Sequence, residues 1–140
     1  MTVEQVVRER LLADGPLAAL VGTRVYMLKL PQKPTLPAVR VQLITEPKGY
    51  QLRGEDGAVR SRVQVDAYQY ETATDPYDSV SDVADAASNA LSGHKFTDAG
   101  SPVSLQVTGA FRQSRRVLYE AEEFRLIRIS QDFIVWSKAA

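Results

Sequence analysis

The chain has 140 residues, 17 Lys and Arg balanced by 17 Asp and Glu, one histidine and no cysteine, a length that supports one domain over residues 1–140 and is short for two. Zero net charge argues against a dedicated nucleic-acid or membrane-surface module. Without cysteine there is no disulfide frame, thiolate metal site or thiol nucleophile, and His94 alone leaves one candidate base for a triad and no two-histidine metal site.

Met1 to Arg8 shows no basic stretch followed by an apolar core, so no signal peptide is expected. No apolar run approaches the about 20 residues of a membrane span. Val3, Val6, Val7, Leu11 and Leu12 recur at helical spacing, and Thr2 with Gln5 forms a capping-box pattern, so the first helix is predicted over Val3–Ala13. Asp14-Gly15-Pro16 breaks it, with glycine suited to a left-handed helix end. A short second turn of helix follows over Leu17–Val21, closed by Gly22.

From Arg24 the hydrophobic period changes to two. A strand is predicted at Val25–Leu28, then an extended loop held by Pro31, Pro34 and Pro37. Val39, Val41 and Leu43 mark a half-buried strand, and Val59 to Ala67 its antiparallel partner. Between them the glycine-rich stretch Pro47–Gly57 reads as a long polar hairpin loop. Thr74 or Asp75 caps a central helix with Pro76 at its first position. Its apolar stripe is Tyr77, Val80, Val83, Ala84, Ala87 and Leu91, and Gly93 ends it. Val103, Leu105, Val107 and Phe111 alternate again. The closing strand is predicted from Phe124 to Trp136, and its pattern slips between Leu126 and Ile127, as a β-bulge or a strand covered on both faces requires. The fold class is α+β: a mostly antiparallel sheet packed against an N-terminal helix and one longer central helix.

Few residues suggest chemistry. Asp75, Asp78, Asp82 and Asp85 fall near one face of the central helix, but no Asp-rich metal-loop spacing accompanies them, and a solvated helix face explains them. His94 follows the helix in a loop, where Ser92, Ser101 or Asp98 would have to complete a catalytic set. No nucleophile-elbow pattern surrounds those serines. Gly22, Gly49, Gly54 and Gly57 form no phosphate-cradling string and read as turn residues. Arg112, Arg115 and Arg116 make a local basic cluster, followed by Glu120, Glu122 and Glu123, which suits a charge-segregated hairpin or a subunit contact. Arg60, Arg62, Gln64 and Asp66 share one strand face, read either as the wet side of a sheet or as a face that meets another copy. No enzyme, cofactor or metal site is expected.

Leu11 to Tyr26 (LLADGPLAALVGTRVY), Leu30-Pro31-Gln32 and Leu36-Pro37-Ala38-Val39 resemble the opening of the tail-completion or tail-terminator proteins of long-tailed bacteriophages and phage-derived particles, the family that includes the siphophage tail-to-head joining protein. Arg62 to Tyr68, Ala90-Leu91-Ser92-Gly93 and Arg128 to Trp136 extend the likeness, in order, along nearly the whole chain. These are core and turn residues, so they speak for backbone course and carry no catalytic role.

The resemblance implies a structural virion protein at the head–tail junction, assembled in the host cytoplasm as a hexameric ring. Such a ring caps the head-proximal end of the tail tube, stops tube polymerisation and docks on the head connector or stopper protein. DNA passes through its lumen unread, and no membrane is involved. Another neck or head-completion component is the alternative. A small enzyme using His94 and the carboxylates of the central helix is the more distant one. A ring built from heterologous contacts needs two complementary patches per subunit. The opposite signs of Asp78, Asp82 and Asp85 and of Arg112, Arg115 and Arg116 nominate those residues, and Arg60 and Arg62 are added from the strand face that could meet another copy.

Overall fold

The computed structural model describes residues 2–51, 54–120 and 125–139. In chain order its elements are α1 (Val3–Leu12), α2 (Gly15–Val21), β1 (Val25–Met27), β2 (Ala38–Thr45), β3 (Lys48–Gln51), β4 (Gly54–Tyr70), α3 (Pro76–Leu91), β5 (Phe96–Thr97), β6 (Leu105–Glu120) and β7 (Leu126–Ala139).

The capping box at Thr2 is present: the Gln5 amide donates to Thr2 Oγ1 at 3.4 Å, and the Thr2 amide donates to Gln5 Oε1 at 2.8 Å. α1 then buries Val3, Val6, Val7 and Leu11. Asp14 has a role beyond breaking the helix: its carboxylate caps α2 by accepting from the Leu17 amide at 3.0 Å, and Gly15 becomes the first residue of α2. The left-handed position belongs to Gly22, at φ 61°, after α2. Asp75 stands at the N-cap of α3 but makes no side-chain cap bond, because its own backbone is left-handed at φ 47°. A capping side chain needs an extended backbone there.

The sheet order is β1-β2-β4-β7-β6-β5, with β3 pairing along the part of β4 that β2 leaves free. All pairs are antiparallel except β1 with β2. That parallel pair is allowed by the crossover loop 28–37, tied down where the Arg24 guanidinium donates to Pro37 O at 2.9 Å and the Tyr70 hydroxyl donates to Pro34 O at 2.7 Å. Helices α1 and α3 cover one face of the sheet. Their apolar stripes meet Val39, Val41, Val63, Val65, Ile129, Phe133 and Val135 in one core. Each fully buried leucine, such as Leu11, Leu17 and Leu91, contributes about 1.5–3 kcal/mol. Arg10 joins the two helices by donating to the last-turn carbonyl of Ala90 at 2.9 Å, a group that no amide of α3 satisfies.

Three expectations are corrected. The stretch 47–57 is largely strand, forming β3 and the start of β4; residues 52 and 53 lie outside the described ones. Arg112 to Arg116 sit inside strand β6, which continues to Glu120 and pairs antiparallel with the next strand, β7. Tyr77 is 52 % exposed, outside the buried stripe of α3. Phe111 is 48 % exposed because β6 carries an extra residue at Thr108: Val107 pairs with Ser137 and Gly109 with Trp136. One inserted residue reverses the side on which the following side chains emerge, until a second insertion restores it. The pattern slip at Leu126 and Ile127, both half-buried, is not a β-bulge in the seam with β4. The pairing of β7 with β4 is unbroken from Leu126 to Lys138, and Ile129 to Val135 are all buried. Phe124 lies outside the described residues.

Candidate functional site

The sheet has a helix-covered face and an open face, and strand parity decides which side chains reach each. On β4, Val63, Val65 and Ala67 point to the helices, so Arg60, Arg62, Gln64, Asp66 and Tyr68 point away. Cross-strand pairing places Arg40, Ser130, Asp132, Ile134 and Trp136 on that same open face. A second extra residue in β6, Gln113, separates Arg112, opposite Phe133, from Ser114, opposite Asp132. Arg112 and Arg115 therefore both emerge on the helix side, while Ser114 and Arg116 emerge on the open side.

The centre of the open face is dry. Asp66 is fully buried, accepting from Arg40 and from Gln64 Nε2 at 3.1 and 2.9 Å, so the longer side chains lie over it. The wet-face reading of Arg60, Arg62, Gln64 and Asp66 is corrected at this position. Asp132, 4 % exposed, accepts from Arg62 Nη2 at 2.7 Å and from Ser114 Oγ at 3.2 Å. Each adjacent pair among β2, β4, β7 and β6 is thus bridged by a charged or polar contact on this face. Tyr68 lies within reach of two guanidinium groups, 5.7 Å from Arg40 and 6.0 Å from Arg128. Burial pushes its phenol above the ordinary range, against the pull of the hydrogen bond with Arg128. Ser130 Oγ and Arg40 Nε are buried without a hydrogen-bond partner among the described residues.

Beyond this dry centre a cleft of about 420 Å³ opens on the same face, lined by Thr45, Arg60, Arg62, Gln113, Ser114 and Ile134. Phe111 pairs with Ile134, and Trp136 faces both Gly109 and Arg60, so two partly exposed aromatic rings border it.

On the helix side, Asp78, Asp82 and Asp85 are exposed along α3. Asp85 is engaged within the chain: Arg115 forms an ion pair with it and donates to Ser81 Oγ at 2.9 Å. Arg112 donates to Gln131 Oε1 at 3.3 Å and lines a hollow of about 450 Å³ with Asp85, Ser88, Asn89 and Ser92. Gln131 is buried and donates in turn to Ala84 O of α3 at 2.9 Å. The structure therefore divides the nominated residues: Asp85, Arg112 and Arg115 meet on the helix side, Arg60, Arg62 and Arg116 share the open face, and Asp78 and Asp82 stand apart from both. Missing from the sequence reading are Arg40, Asp132 and Arg128; their signal was the alternation of charge with apolar residues in β2 and β7.

His94 is exposed in the turn after α3, its amide donating to Leu91 O at 3.2 Å. Among the described residues, no group of three or more His, Cys, Asp or Glu side chains could hold a metal ion, and no helix is long and apolar enough to cross a membrane.

The sequence model of the family described as tail completion protein gp17 matches residues 5–138. Among solved structures, a chain described as "Virion of native gene transfer agent (GTA) particle" superposes with a TM-score of 0.68 at 22 % identity, covering 98 % of this chain and 93 % of that one. At that identity the likeness concerns the fold. No curated protein matches the sequence.

Proposed function

The chain belongs to the tail completion protein gp17 family, and from that premise we propose that it is a structural virion protein that closes the head-proximal end of a phage or phage-like tail. The match over residues 5–138 carries the reading. In it, six copies form a ring, the ring stops growth of the tail tube, and its far side docks on the head connector while DNA passes through the lumen. Binding does the work, without catalysis. The two faces support this physically. A closed ring needs two different patches on each subunit, and this sheet carries arginines on its open side and aspartates on the helix packed against its other side.

The test is polymerisation of the cognate tail tube protein with and without this chain, followed by negative-stain imaging of tube lengths. Tubes of bounded length, each ending in a ring of six times the 15.5 kDa chain mass, are the expected outcome. Tubes that grow without limit in its presence overturn the terminator role, and binding to heads in place of tubes reassigns the protein to head completion.

A further inference from the structure

Contacts within the chain leave part of each charged side unspent. In the open-face cleft, Arg62 commits one nitrogen to Asp132, whereas Arg60 is exposed and has no partner among the described residues. At the border, Phe111 and Trp136 are 48 % and 41 % exposed. The missing side chain at Gly109 lets the Phe111 ring lie over the strand beside Trp136, since a β-carbon there would stand 2.9 Å from the ring. Guanidinium groups next to aromatic surface suit carboxylates presented alongside an aromatic ring. The first half of α3 presents that combination. Tyr77, Asp78 and Asp82 are exposed there, the two acids lie one helical turn apart, and neither has a partner among the described residues.

We infer that the open-face cleft of one subunit receives the Tyr77–Asp82 segment of α3 from the next copy, with Arg60 and Arg62 meeting Asp78 and Asp82, and Tyr77 packing against Phe111 and Trp136. This contact rests on the ring reading above. Donor and acceptor patches lie on opposite sides of one sheet, so each copy gives on one side and receives on the other, and a fixed rotation between copies closes the ring. A nucleic acid is the poorer occupant, because tracking a phosphate backbone needs several uncommitted cations, and Arg62, like Arg40 further along the face, is already engaged by an aspartate.

Full-length chains carrying Arg60→Glu or Asp82→Arg test the contact by light-scattering mass, free and on tail tubes. Both positions are exposed, so melting temperatures should match the parent. Each reversal alone is expected to weaken self-association by about tenfold or more. Mixing the two variants should restore an alternating ring, because the reversed cleft of one then meets the reversed helix of the other. Rings that form at parental strength in both single variants, or mixtures no better than the weaker variant, overturn the contact while leaving the ring reading intact. A parent chain that stays monomeric with and without tubes overturns the ring reading, and the contact with it.

Discussion

Arg115 of β6 and Asp85 of α3 form an ion pair inside one subunit, so the opposite charges of this strand and this helix are partly consumed in holding the helix to the sheet. The pair is half exposed, with side chains 24 % and 58 % accessible, and exposed pairs are worth little. A double-mutant cycle of Arg115→Ala and Asp85→Ala in urea denaturation should return a coupling of about 0.2–1 kcal/mol, and raised salt should shrink it.

Asp66 is the opposite case. Its carboxylate is fully buried and neutralised by Arg40. Asp66→Ala leaves that guanidinium beside a cavity without its counter-charge and should cost about 3–5 kcal/mol. Asp66→Asn, which keeps the shape and one acceptor, should cost less. Urea midpoints of the two variants check the order, and an Asp66→Asn variant as stable as the parent would refute the role given to the charge.

Phe133 is the largest fully buried side chain among the described residues, in β7, one of the two central strands of the sheet. Phe133→Ala should destabilise by about 3–5 kcal/mol, whereas truncating Phe111 on the same sheet should cost far less, since nearly half of it is in water. Thermal melts of both variants measure the contrast.

Asp98 gives the fold an acid limit. Burial raises its carboxyl pKa, but the hydroxyl of Ser104 at 2.8 Å and the amides of Ser104 and Leu105 at 2.9 and 3.3 Å outweigh that and hold it below the ordinary value. A folded pKa lower than the unfolded one contributes stability above the unfolded pKa and loses it as pH falls through the folded one. Melting temperature should therefore decline below about pH 4, and Asp98→Asn should flatten that part of the profile.

Helices were legible in the sequence because their signals are local. Thr2 and Gln5 cap α1 through bonds spanning three residues, and the α3 stripe from Val80 to Leu91 needs only a period of 3.6. Strand faces were legible only where pairing is regular. Val63, Val65 and Ala67 emerge toward the core as their alternation predicts. Phe111 and the arginines of β6 defeat the same rule, because Thr108 and Gln113 look like ordinary strand residues and only their pairing with β7 reveals them as insertions. Charge in the sequence likewise named Arg60, Arg62 and Asp85. It could not say that Asp85 is answered at home by Arg115, which lies 30 residues away in the chain.

The two extra residues in β6 also act as slack. Between Val107 and Ser114 the strand holds more chain than its partner needs, so losing Thr108 or Gln113 can be absorbed by straightening, with every neighbour left on its own face. The seam between β4 and β7 has no such reserve, being matched residue for residue from Ala58 to Tyr70. A single deletion there must push a run of buried side chains into water. Length variation in this sheet should accordingly be tolerated in β6 and refused in β4.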